Sequence, residues 1–173
     1  MKYTVTSAEA NKLLKKIMEE KNIIISKEDQ TSKFNAAINE EVDSVRPDYN
    51  YEEVRLELLK YDRKIRAIKH AINVFNTTTL VGNTGMTIDE VLVYIPQLND
   101  KKNRLFWLQR CLPKQRTNVF GSGNNAVIDY TYANYDVDTA KKDYIAVSDE
   151  LRDVQTALDV VNSTLTFEIN IEE

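Results

Sequence analysis

Cysteine is almost absent from this chain. Its single thiol, Cys111, has no partner for an internal disulfide and cannot form the thiolate clusters that hold structural zinc or iron. Histidine is equally scarce. A di-iron helical bundle needs Glu-x-x-His pairs on two helices, but Ala67 stands three residues before the lone His70. Four glycines and three prolines exclude collagen-like repeats and Pro-rich linkers. No stretch approaches the ~18 uncharged apolar residues of a membrane-spanning helix, and Met1–Ser7 has no apolar region of the secretory kind, so a cytoplasmic location is expected. Neither sign of charge dominates: 23 basic and 27 acidic residues leave a net charge of −4, which makes nucleic acid an unlikely partner for the protein as a whole.

What the chain does contain is enough apolar residue, 42% of 173, to build a core, and these residues fall into helical registers. Val137, Ala140, Tyr144, Val147, Leu151, Val154, Leu158, Val161 and Leu165 alternate spacings of three and four, the rhythm of a coiled-coil seam. Val54, Leu58, Tyr61, Ile65, Ile68, Ile72 and Phe75 do the same, with Arg55, Glu57, Lys60, Asp62 and Lys69 among the residues on the other faces. Thr6 with Glu9, and Thr87 with Glu90, have the spacing of capping boxes. Asn50 and Asp136 are caps for two further helix starts. The pattern predicts four helices over about 7–29, 51–76, 88–112 and 137–165, with a kink at Pro96 in the third.

Residues 32–49 have no sustained period, and residues 77–85 read as a short extended link. Thr117–Phe120 and Ala126–Tyr132, around Gly121-Ser122-Gly123-Asn124-Asn125, predict a small β-hairpin within about 116–133. The fold class expected is therefore mainly α in one domain, 1–173. Two long antiparallel helical hairpins form a four-helix, coiled-coil-like bundle, with the β-hairpin inserted between the third and fourth helices. Narrow seams leave the edges of a thin bundle uncovered, so homo-oligomerisation is expected. Asn73, Asn76 and Asn162 are candidate register-setting polar positions.

Candidate chemistry is sparse, and no catalytic, cofactor-binding or metal-binding residue is expected. His70 lies off the apolar seam without an assigned nucleophile, and pairing it with Cys111 would be only the minimum for nucleophilic catalysis. The acidic doublets Glu19-Glu20, Glu40-Glu41, Glu52-Glu53 and Glu172-Glu173 point about a hundred degrees apart when helical and do not converge on a substrate. Gly121-Ser122-Gly123 lacks the spacing of either a phosphate loop or a dinucleotide fingerprint. The strongest patch is Lys101, Lys102, Arg104, Trp107, Arg110, Lys114 and Arg116, with Phe106 among them. Basic and aromatic residues interleaved in this way suit a nucleic acid or an anionic surface, while a helix end also favours cations by itself.

Ile72-Asn73-Val74-Phe75-Asn76-Thr77 followed by Thr87-Ile88-Asp89-Glu90-Val91-Leu92 resembles the Ile-Asn-x-x-Asn junction and Thr-Leu-x-x-Ala-Leu helix start of a small bacterial helical family, some of whose members carry the label septicolysin. Leu151-Arg152, Gln155, Leu158-Asp159 and Asn162-Ser163-Thr164 are similar to that family's closing helix. The chain departs from the pattern at 74, 75 and 163, and at Pro96. The resemblance implies an elongated helical protein and carries no catalytic residue with it. Its toxin-like label implies pore formation, but no segment here has the length or alternation of a membrane-inserting hairpin.

Overall fold

A computed structural model describes residues 2–116 and 129–171. The protein is mainly helical: α1 (Ser7–Thr31), α2 (Val42–Val45), α3 (Tyr51–Thr78), α4 (Ile88–Leu108) and α5 (Val137–Thr164) are joined by β1 (Lys2–Thr6), β2 (Lys114–Arg116), β3 (Tyr130–Tyr132) and β4 (Thr166–Asn170). The strands form two separate antiparallel ribbons, β1 with β4 and β2 with β3. The chain divides into two compact units, one of residues through Thr79 together with those from Val160 onward, the other Leu80–Asp159.

In the first unit, Thr6 opens α1 as a capping box: Glu9 N–H donates to Thr6 Oγ1 at 3.3 Å and Thr6 N–H to Glu9 Oε2 at 2.9 Å. The Thr6 amide and the Thr6 hydroxyl, both donating to Glu9 Oε2, hold the Glu9 carboxyl below the usual carboxylate range, with the backbone bond the larger cause. Asn50 Oδ1 caps α3 by accepting from the Glu52 and Glu53 amides. The two helices run antiparallel, as the cross-helix pairs Lys21–Asp62, 2.6 Å, and Tyr49–Glu28, 2.7 Å, show. Their facing stripes meet at Ala10, Ile17 and Ile68, with Leu13, Leu14, Tyr61, Ile65 and Ile72 packed around them.

Two helices alone bury one narrow strip, and here the β1–β4 ribbon adds a second layer. It pairs Tyr3 with Ile169 and Val5 with Phe167, joining the first residues of the chain to the last. Ile169 is fully buried, Ile171 joins the same core, and the Phe167 ring stacks on Phe75 at 4.5 Å. On the outer side Lys2 reaches Glu168 at 2.6 Å. Neither strand was anticipated from sequence, although Phe167, Ile169 and Ile171 alternate with polar residues and Tyr3 and Val5 alternate with theirs.

In the second unit, the link after α3 closes through an isolated bridge between Leu80 and Thr87, and Val81 N–H donates to Met86 C=O at 2.9 Å. Gly82 and Gly85 take φ of +49° and +70°, the left-handed region that glycine enters without a Cβ penalty. Thr87 starts α4, its N–H donating to Glu90 Oε2 at 2.8 Å. Helices α4 and α5 are antiparallel neighbours: Tyr94 O–H donates to Glu150 Oε1, and the Phe106 and Tyr144 rings lie 6.2 Å apart. The apolar register of α5 is buried at Val137, Ala140, Val147, Leu151, Val154, Leu158 and Val161.

Several boundaries differ from the sequence reading. α4 ends at Leu108 rather than near 112, and the chain leaves it through tighter turn bonds, Arg110 N–H to Trp107 C=O and Cys111 N–H to Leu108 C=O, before Pro113. Pro96 lies inside α4, as expected for the third helix. α3 runs on to Thr78, where the Thr77 and Thr78 hydroxyls bond back to the carbonyls of Asn73 and Val74, consuming part of the expected extended link. Leu165 falls outside α5 and is exposed. Described strands lie at 114–116 and 130–132, and the expected strand at 117–120 and the Gly121-Ser122-Gly123 turn lie outside the described residues. Residues 32–49 contain only the single helical turn α2.

Replacing Ile169 by Ala will destabilise the protein by about 2–5 kcal/mol, since the ribbon cannot collapse into the space left on α3. Replacing exposed Ile145 will change stability by no more than about 0.5 kcal/mol. Urea unfolding of the two variants beside the parent checks the contrast.

Candidate functional site

The basic and aromatic residues picked out from sequence lie in the second unit, and the fold sorts them into groups. On α4, Lys101, Arg104 and Trp107 are spaced by three and share one side. Lys102, half-buried, is turned about 160° from Arg104. The seven residues are therefore not one continuous face. Past the helix end, the Arg110 guanidinium lies over the Phe106 ring at 5.0 Å and the Trp107 ring at 6.0 Å.

Lys114 and Arg116 stand on β2, directly opposite Tyr132 and Tyr130 of β3. Residues opposite each other in an antiparallel pair share a face, as do residues two apart in one strand, so these four side chains form one face of the ribbon. Lys114 Nζ is 4.1 Å from the Tyr130 ring centroid and 5.4 Å from that of Tyr132. Tyr130 and Tyr132 fall in the second strand of the hairpin expected from sequence, and their alternation with Thr131, facing that of Lys114 and Arg116 around Gln115, is the signal that places them together.

The root of the ribbon is tied to the end of α4. Ala133 N–H donates to Pro113 C=O at 3.2 Å, and Tyr135 O–H donates to Leu108 C=O at 2.8 Å. Tyr135 also meets Cys111, and that thiol raises its phenol above the ordinary tyrosine value. Asp136 caps α5, accepting from the Thr139 hydroxyl at 2.7 Å and the Asp138 amide at 3.0 Å. These bonds, the hydroxyl first, hold its carboxyl below the usual range.

The other sequence candidates have local structural roles. Glu19 and Glu20 pair with Lys15 and Lys16 one turn back, Glu52 pairs with Arg55, and Glu53 accepts from Asn50 Nδ2. Glu40 accepts from the Ala37 amide and Glu41 precedes α2, while Glu172-Glu173 lie outside the described residues. His70 is exposed on α3, beside a shallow groove of about 450 Å³ that Val74, Phe75, Phe167 and Glu168 also line. Cys111 is exposed and belongs to the other unit. Among the described residues, no group of three or more His, Cys, Asp or Glu side chains is placed to hold a metal ion. No described helix is long and apolar enough to cross a membrane. Asn73 is exposed, Asn162 is half-buried, and the half-buried Asn76 keeps its Oδ1 out of solvent without a hydrogen-bond partner.

No family model and no curated protein matches the chain. Among solved structures, it is similar to a functionally unknown conserved protein from Corynebacterium diphtheriae, with a TM-score of 0.55 and 18% sequence identity over 97% of this chain and all of that one. That likeness concerns the fold alone, and it supplies no specific function.

The Tyr94–Glu150 bond between α4 and α5 gives the second unit a pH-dependent contact. Its hydrogen bond to the Glu150 carboxylate raises the Tyr94 phenol above 10.0, so the stabilisation is fully present below pH 10 and is lost as pH rises through the higher folded-state value. In thermal melts, the parent will be more stable than Tyr94→Phe near pH 8. The difference will vanish and then reverse above pH 10, when a phenolate faces the carboxylate.

Proposed function

We propose that the protein is a non-enzymatic interaction module or scaffold that works as a homo-oligomer. The observation that carries this reading is a second row on α3 with exposed leucine and valine side chains, on the side away from α1. Leu56 and Val74 each stand nine residues, two and a half turns, from the seam residue Ile65, and so lie on the opposite side of the helix. Leu59, Arg63, Ala67 and His70 share that row, so one exposed cation stands in its middle, and Leu56 and Leu59 remain 51% and 41% exposed. On the facing side, Val54, Leu58, Tyr61 and Ile65 are only half-buried.

A second copy offering the same row covers it by symmetry, as a twofold interface requires. The nearly unbroken burial of the α5 register supports the coiled-coil part of the proposal, and completion of a four-helix arrangement belongs to it as well. The absence of catalysis is part of the same reading, supported by the capping and ion-pair roles of the acidic doublets and by the exposure of His70. Kinship with the septicolysin-labelled helical family is likewise a proposal and adds no catalytic residue.

Native mass spectrometry and sedimentation over a range of concentrations test the self-association. A multiple of 20.0 kDa is expected for the parent. Leu56→Glu with Leu59→Glu will shift the mass toward the monomer while leaving the helical circular dichroism unchanged. A parent that is monomeric at every concentration overturns the proposal.

A further inference from the structure

The β2–β3 ribbon presents Lys114, Arg116, Tyr130 and Tyr132 on one face, and every described residue of the two strands is exposed. Tyr130 is 45% and Tyr132 62% exposed, so neither ring packs into the core of its unit. Their centroids are 6.5 Å apart, with the Lys114 ammonium close to both. At the ribbon's root, Trp107 is 68% exposed and stands beside Arg110.

Most of the 23 lysines and arginines reach no carboxylate within 4.0 Å among the described residues, and the cations of this region are among them. Lys2, Lys15, Lys16, Lys21, Arg46, Arg55, Lys141 and Arg152 all reach a carboxylate within 4.0 Å. Among the described residues, Arg110, Lys114 and Arg116 make no such pair. Their positive charge is not neutralised locally, in a protein whose net charge is −4.

We propose that this face binds single-stranded nucleic acid, with Arg110, Lys114 and Arg116 on phosphates and Tyr130, Tyr132 and Trp107 stacking against bases. Exposed aromatic rings interleaved with unpaired cations are the combination by which single strands are held without base-specific hydrogen bonds. A duplex hides its base faces and offers such rings nothing to stack on. An anionic lipid surface calls for an apolar face to insert, whereas this ribbon alternates its tyrosines and cations with Gln115 and Thr131. The proposal is independent of self-association, because none of these residues belongs to the α3 row.

The test is titration of the full chain into fluorescein-labelled oligothymidylate and oligouridylate, read by anisotropy, with Trp107 fluorescence as a second signal from the sole tryptophan. Binding is expected with quenching of Trp107 and a log–log salt slope near −2, about −0.7 for each of three phosphates. Tyr130→Leu with Tyr132→Leu will weaken binding about fivefold or more at an unchanged slope. Lys114→Gln with Arg116→Gln will bring the slope toward −0.7. Circular dichroism melts establish that both variants remain folded, as substitutions of exposed side chains should. The proposal is overturned by absence of binding at low salt, by equal affinity for a duplex, by a tyrosine variant that binds like the parent, or by tyrosine-dependent sedimentation with phosphatidylserine vesicles in preference to oligonucleotide.

Discussion

The first unit depends on the antiparallel pairing of β1 with β4. An amphipathic helix must bury its stripe, and two antiparallel helices cover only the strip between them. The ribbon provides the missing layer by turning Ile169, Phe167 and Val5 onto that strip, with Phe167 stacked on Phe75. An isolated two-stranded ribbon is itself marginal in water, so strands and helices hold one another in place. The capping box at Thr6 fits this arrangement closely, because the residue that ends β1 also starts α1.

The second unit solves the same burial problem with α4 and α5, and its small ribbon serves a different purpose. β2 and β3 bury nothing in the core, yet the Tyr135 hydroxyl fixes their root to the last residue of α4, and Ala133 bonds to Pro113 at the ribbon's base. The structure thus holds out a short strand pair whose one face is cationic and aromatic. Maintaining side chains of this kind in solvent does not help packing, and that is the reason for looking to the ribbon for recognition. The exposed α3 row is a separate surface of different chemistry, with leucine and valine on either side of Arg63.

Helix positions were legible in the sequence to the extent that periodicity and capping govern them. The starts at Ser7, Tyr51, Ile88 and Val137 follow from Thr6, Asn50, Thr87 and Asp136, because a cap acts over three residues and leaves a local signature. Ends were less legible: α4 stops before Pro113, whereas α3 is prolonged by threonine hydroxyls that bond to its own last carbonyls. The terminal strands escaped because five-residue alternations are weak signals and their meaning comes from a partner more than 160 residues away.

The candidate site was half legible. Composition alone brought Lys101 to Arg116 forward as a basic and aromatic run, but a linear run does not say which side chains share a face. Helical geometry separates Lys102 from Arg104, and strand pairing brings Tyr130 and Tyr132 across to Lys114 and Arg116. What the sequence by itself determined about this protein is its mainly helical class, the starts of its long helices and the scarcity of histidine and cysteine, since these depend on local propensity and on what the chain contains. Only the tertiary structure decided that β1 and β4 pair and that Lys114, Arg116, Tyr130 and Tyr132 share one face of a ribbon, because both depend on contacts between residues apart in sequence.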